Sequence, residues 1–185
     1  MSTKQIEKST VEIQIPDDVK VNLKGSMLHV QWPLGNVYKN FKKIPVLIEI
    51  NDNKILLKKT GERKKHLAIL NTSKSLIKTL CVGVVDGFTI KMKVVFSHFP
   101  ITVKVEGKKV LIENFQGERA PRISMIKGDT KVDVKGDDVI ITGPVLTDVS
   151  QTAANVQQKS KVKNKDHRVF LDGIYRYSKS NGIEK

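Results

Sequence analysis

Two clusters of cationic side chains supply most of the chemistry in this sequence. Between Lys58 and Lys78 stand seven basic residues, Lys58, Lys59, Arg63, Lys64, Lys65, Lys74 and Lys78, against the single acid Glu62. Between Lys159 and Lys185 stand eight, Lys159, Lys161, Lys163, Lys165, Arg168, Arg176, Lys179 and Lys185, against Asp166, Asp172 and Glu184. A run of charge is also the ordinary composition of a solvated face. Here the two runs sit in a chain of 185 residues with 33 Lys and Arg against 19 Asp and Glu, a net +14 and a pI near 9.8. That excess favours a polyanionic partner. Lys outnumbers Arg 28 to 5. An ammonium acts on phosphate as a point charge, whereas bidentate reading of a guanine edge prefers guanidinium. The surface therefore suits the backbone and shape of a folded RNA more than a base sequence.

Signatures of catalysis are scarce. The sequence holds no phosphate-cradling P-loop, dinucleotide fingerprint, nucleophile elbow or His pair at helical spacing. His29, His66, His98 and His167 are scattered. A nuclease using His98 and His167 as acid and base is the rival reading; the favoured one makes His98 a loop residue contacting a phosphate or a backbone carbonyl. Asp129, Asp133, Asp137 and Asp138 cluster without the spacing of a calcium loop, and Asp137-Asp138 follows Gly136 as a polar turn would. No metal, cofactor or small-molecule substrate is expected. With only ten Phe, Trp and Tyr residues, no strand shows the paired exposed rings of a single-strand stacking platform, and Phe88, Phe96 and Phe115 read as core.

The remaining composition is that of a folded basic protein. Hydrophobic residues make up 39% of the chain, enough for a core. The lone Cys81 cannot form a disulfide within the chain and reads as a buried small hydrophobe. No stretch approaches the roughly 20 apolar residues of a membrane span, and the opening residues lack the apolar middle of a signal peptide. The cytoplasm is the expected compartment.

The elements that must carry these side chains follow from periodicity. Residues 1–10 form a polar extension, expected to be flexible. From Val11 the apolar period is two, through Val11, Ile13, Ile15, Val19, Val21, Leu23, Leu28 and Val30, which predicts antiparallel strands. Turns are expected at Lys24-Gly25-Ser26, Pro33-Leu34-Gly35-Asn36 and Asn51-Asp52-Asn53. After Thr60, which reads as an N-cap, Ile69, Ser73, Leu76, Ile77, Leu80 and Val84 fall on one helical face, closed by Gly83 or Gly87. Strands resume from Thr89, and a second helix is predicted from about Thr147 to Lys161. Sliding the chain by 82 residues sets Val19–Gly25 on Ile101–Gly107 and Gly35 on Gly117; an offset of 84 sets Ile48 and Ile50 on Val132 and Val134, and Asn71 on Asn155. The reading is an α+β fold: an internal duplication of two small antiparallel β-sheet units, each packed with one α-helix. Its divisions are 11–86 and 87–165, followed by a basic C-terminal segment, 166–185.

The stretches Phe96–Ile101 and, above all, Asn164-Lys165-Asp166-His167-Arg168-Val169-Phe170-Leu171-Asp172-Gly173-Ile174-Tyr175 resemble the large-subunit ribosomal protein L-six family, in its archaeal or eukaryotic branch and with the nearer likeness to the eukaryotic type. The likeness extends over nearly the whole chain, and Asp172-Gly173-Ile174-Tyr175 stands where bacterial members have a Gly/Lys-rich ending. The resemblance implies a duplicated fold and a structural role without catalysis. It implies binding to large-subunit rRNA, in a 60S particle if the source is eukaryotic, near the sarcin–ricin loop and the stalk base. Neighbouring ribosomal proteins and passing translational GTPases would be the other partners, in the cytoplasm after nucleolar assembly in a eukaryote. By that analogy Lys161, Lys163, Lys165, Arg168 and Arg176 are the first phosphate contacts, Lys91, Lys93 and His98 the next, and Arg63, Lys64 and Lys65 face rRNA or solvent. Asp172-Gly173 reads as a turn that aims Ile174 and Tyr175 back onto the second unit.

Overall fold

A computed structural model describes residues 10–16, 19–32, 35–51, 53–166 and 168–183. The expected flexibility of the extension, His167, and parts of the turns at Pro33-Leu34 and Asp52 lie outside the described residues. The chain divides into two compact units, Met1–Val85 and Asp86–Lys185.

In the first unit, β1 (Thr10–Gln14), β5 (Val46–Asn51) and β6 (Lys54–Lys59) form a sheet of order β1-β6-β5, while β2 (Lys20–Lys24), β3 (Met27–Trp32) and β4 (Gly35–Asn40) form a second, β2-β3-β4. All pairings are antiparallel. Alternation sets Ile13, Leu28, Val30, Val37, Ile55 and Leu57 inward, where each is at most 5% exposed. Helix α1 (Lys64–Val85) closes the unit with Leu70, Ser73, Ile77, Leu80, Cys81 and Val84 buried. Its start lies four residues beyond Thr60. That residue's hydroxyl donates instead to the Pro45 carbonyl, 2.9 Å away, tying down the end of β6. Gly83 is buried inside the helix, and Gly87, at φ +76°, follows its end. By length and composition α1 is apolar enough to cross a membrane, contrary to the expectation from the sequence. Lys74 and Lys78 along it, and a buried face set against the sheets of its own unit, make it a core helix.

The second unit repeats the plan. Strands β8 (Thr102–Glu106), β9 (Lys109–Glu113) and β10 (Arg122–Met125) form the sheet β10-β9-β8. Strands β7 (Phe88–Val95), β11 (Lys131–Lys135), β12 (Asp138–Gly143) and β13 (Gly173–Asn181) form β11-β12-β7-β13, and helix α2 (Leu146–Lys159) packs on both sheets. Register makes the duplication concrete. Lys24 opposes Met27 across Gly25-Ser26, and Glu106 opposes Lys109 across Gly107-Lys108, both at the offset of 82. Gly25 and Gly107 share left-handed φ values of +62° and +56°, a conformation open to glycine at no steric cost. Asn51 opposes Lys54, and Lys135 opposes Asp138, at the offset of 84.

Gly35 and Gly117 are not equivalent. Gly35 opens β4, opposite Trp32, whereas Gly117 ends a 3-10 turn (Phe115–Gly117) inside the longer β9–β10 connection. That connection shifts Ser124 to an offset of 85 from Lys39, so one residue is recovered before β11. Phe88 and Phe115 are buried as expected, but Phe96 is 42% exposed.

Strand β13 is the largest departure from the sequence reading. The stretch 166–185, read as a separate basic segment, contributes a nine-residue strand antiparallel to β7, with a bulge between Arg176 and Ser178. Ile174 enters the core of the second unit with no exposure, whereas Tyr175 stays 42% exposed. The sequence GIYRYSKSN carries little apolar alternation. Ile174, Tyr175 and Tyr177 favour extended backbone, and pairing with β7 holds the whole segment as a strand.

Candidate nucleic-acid interface

The C-terminal lysines follow from a guanidinium that points inward. Arg122, on β10, donates from Nε and Nη2 to the two carboxylate oxygens of Glu118, at 2.7 and 2.5 Å. Its Nη1 donates to the Lys159 and Lys161 carbonyls at 2.8 and 3.3 Å, and its Cζ lies 4.1 Å from the centre of the Phe115 ring. The hydrogen bonds from Arg122 hold the Glu118 carboxyl below its usual range. This hub fixes the chain leaving α2. Val162 is 3% exposed, so its neighbours Lys161 and Lys163 both project outward. Lys163 joins Lys127 and Lys159 around a groove of about 830 Å³ floored by Ile123 and Met125, with Gln151 and Asn155 on its helical wall. Among the described residues, no carboxylate lines it.

Lys165 and Arg168 are exposed but have partners in the chain. The Lys165 Nζ lies 4.5 Å from the centre of the Phe170 ring, and the Arg168 Nε lies 3.3 Å from Asp166 Oδ1. On β7, Lys91 and Lys93 alternate with buried Ile90, Met92 and Val94 and so stand on the outer sheet face. Asp138 gathers Lys93 Nζ and the Tyr177 hydroxyl, each at 3.4 Å. Arg176 is exposed on β13 opposite Met92. Arg63, Lys64 and Lys65 are exposed where α1 begins, in the first unit, with no acidic residue in the first helical turn. Cations there face the positive end of the helix dipole, a placement that does not help the helix.

His98 lies in the loop after β7 and has partners within the chain. Its Nδ1 lies 2.9 Å from Asp172 Oδ2, its ring stacks on Phe170 at 4.7 Å, and Ser97 Oγ lies 3.0 Å from the same nitrogen. In a hydrolytic relay the serine and the carboxylate engage opposite ring nitrogens. Here both meet Nδ1, an arrangement that pins the loop and activates no hydroxyl. The Ser97 amide also donates to Asp172 Oδ1 at 2.6 Å. Burial pushes the Asp172 carboxyl up. The Ser97 amide, the His98 ring and the His98 amide outweigh it and hold the group below the usual carboxylate range.

Sequence reasoning missed Lys127, Arg122 and the exposed pair Tyr175 and Tyr177, at 42% and 57%. The expectation that no strand carries paired exposed rings fails on β13, which the periodicity did not reveal as a strand. A Tyr-x-Tyr spacing was the available signal.

Comparison with known proteins agrees with this architecture. The sequence profile of the family described as ribosomal protein L6 matches residues 99–173, which run from the His98 loop to the start of β13. The large ribosomal subunit protein uL6 of Methanobrevibacter smithii is 45% identical over 168 residues, covering 91% of this chain and 94% of that protein. The uL6 proteins of Thermoplasma volcanium and Methanosarcina mazei are 44% and 42% identical, covering 90% and 88% of this chain and 94% and 93% of theirs. With identity at this level over nearly the whole length and a structure consistent with the duplicated L6 fold, the chain belongs to the ribosomal protein L6 (uL6) family.

Proposed function

We propose that this protein is a structural constituent of the large ribosomal subunit that binds rRNA near the sarcin–ricin loop and the stalk base, supporting the site where translational GTPases act. L6 proteins are structural and not enzymatic. The carrying observation is the exposed set Lys159, Lys161 and Lys163, on a segment whose backbone the Arg122 hub ties down at Lys159 and Lys161, beside a groove whose described lining has no carboxylate. Exposed ammonium groups on a backbone fixed in this way can neutralise phosphates without rearranging the chain that carries them. Lys91, Lys93, Lys165, Arg168, Arg176 and His98 are further rRNA contacts in this reading, with Arg63, Lys64 and Lys65 as contacts from the first unit. The protein works in the cytoplasm within the large subunit, beside neighbouring ribosomal proteins and the stalk base. In a eukaryotic cell, assembly would be nucleolar.

The test is sedimentation of a lysate through a high-salt sucrose gradient. The protein is expected only with large subunits and translating ribosomes. Recovery mainly at the top of the gradient would overturn the assignment.

A further inference from the structure

We propose that the cleft between the end of α2 and the edge of β13 receives one unpaired base of an RNA, stacked on Tyr175 with its phosphate at Lys161. The inference rests on the rRNA-binding reading and names the form of RNA that this part of the surface accepts.

The cleft has a volume of about 500 Å³, room for a base and its ribose. Ala154 and Val162 supply apolar lining, Gln157 and Gln158 supply amides, Lys161 supplies a cation, and Tyr175 supplies an aromatic ring. Ser160 also lines it, but its hydroxyl is engaged, accepting from the Ile174 amide at 3.0 Å and donating to the Gln157 carbonyl at 3.1 Å. Among the described residues no carboxylate lines the cleft, so the charge of Lys161 is left for a ligand.

Tyr175 is braced for stacking. A Cβ on Gly173 would sit 2.9 Å from the Tyr175 ring, so the ring lies over bare backbone that only glycine provides there. With that side supported and the residue 42% exposed, ring surface remains for a base. Stacking on an aromatic ring is sequence-tolerant, and primary amides can pair with a base edge in either sense. Tyr177, two residues on and 57% exposed, offers a second ring. A flat ring, two amides and an ammonium suit a base with its phosphate better than an acidic peptide, which needs no flat ring.

The test uses the full chain and two RNA hairpins, one with a single unpaired adenosine in its stem and one with that nucleotide deleted. The bulged hairpin is expected to bind about tenfold tighter, the scale of one stacked base. Tyr175→Phe keeps that preference. Tyr175→Leu removes it without changing affinity for the paired stem, and Lys161→Ala weakens both complexes. Equal binding of the two hairpins by the unaltered protein, or a preference that survives Tyr175→Leu, overturns the proposal. So does Tyr175-dependent binding of a Glu-rich peptide in place of the unpaired adenosine. Retained binding of total large-subunit rRNA in those cases leaves the phosphate-binding reading standing, whereas failure to bind that rRNA removes both.

Discussion

His98 and Asp172, 74 residues apart in the chain, are joined by a 2.9 Å contact between Nδ1 and Oδ2. The bond fastens the loop after β7 to the residue just before β13, the last strand of the same sheet. Together with the Ser97 amide it makes Asp172 the anchor of the Asp172-Gly173-Ile174-Tyr175 motif, whose four positions then have separate tasks. Asp172 ties the loop, Gly173 admits the Tyr175 ring, Ile174 fills the core, and Tyr175 faces outward.

Asp172→Asn is therefore expected to destabilise the protein by about 1–3 kcal/mol near neutral pH, the scale of losing a charge-assisted buried bond. The carboxyl is held below its unfolded value, so its contribution is fully present above about pH 4, the ordinary Asp value, and fades as pH falls through the folded value. Urea unfolding at several pH values checks this. The gap between the two proteins should close in acid, below about pH 4; a gap that persists unchanged there would show that the carboxylate charge is irrelevant.

Gly173→Ala places a methyl group 2.9 Å from the Tyr175 ring, which must swing away. A cost of about 1 kcal/mol is expected, typical of an imposed off-rotamer side chain. Adding Tyr175→Ala should abolish most of it. A thermal-melt double-mutant cycle reads the coupling, and additive effects would mean that the ring and the glycine do not constrain one another.

Ile174→Ala removes a side chain with no exposure from the core of the second unit and should cost about 2–5 kcal/mol in denaturant unfolding. Leu171→Ala, three residues earlier and 57% exposed, should change stability by no more than about 0.5 kcal/mol.

Replacing Lys161, Lys163 and Lys165 together with Ala should leave the fold intact, since all three are exposed. Binding to large-subunit rRNA should weaken, and the slope of log affinity against log salt should fall by about 0.7–0.9 for each phosphate that is no longer neutralised. A filter-binding salt series that returns the original slope would remove these residues from the interface.

Arg122→Lys should not substitute for arginine. A lysine cannot present parallel donors to Glu118 while also reaching the Lys159 and Lys161 carbonyls. Faster amide exchange at residues 159–163, together with weaker rRNA binding, is the expected result; unchanged exchange would show that the hub does not hold the lysines.

The sequence by itself determined the parts governed by local pattern. Period-two alternation marked the strands, helical spacing marked the long buried face of α1, and the offset of 82 marked two hairpins whose Gly25 and Gly107 turn alike. Net charge and the Lys excess pointed to a phosphate partner, because composition alone sets the long-range field. Tertiary structure decided what depends on pairing across distance. Strand β13 exists because β7 offers an open edge, and Tyr175 and Tyr177 became neighbours of Lys93 through that pairing. His98 took Asp172 as its partner, and Arg122 turned toward the Lys159 and Lys161 carbonyls. A side chain's periodicity reports whether it faces in or out, but its partner is set by which distant backbone the fold brings within hydrogen-bonding reach.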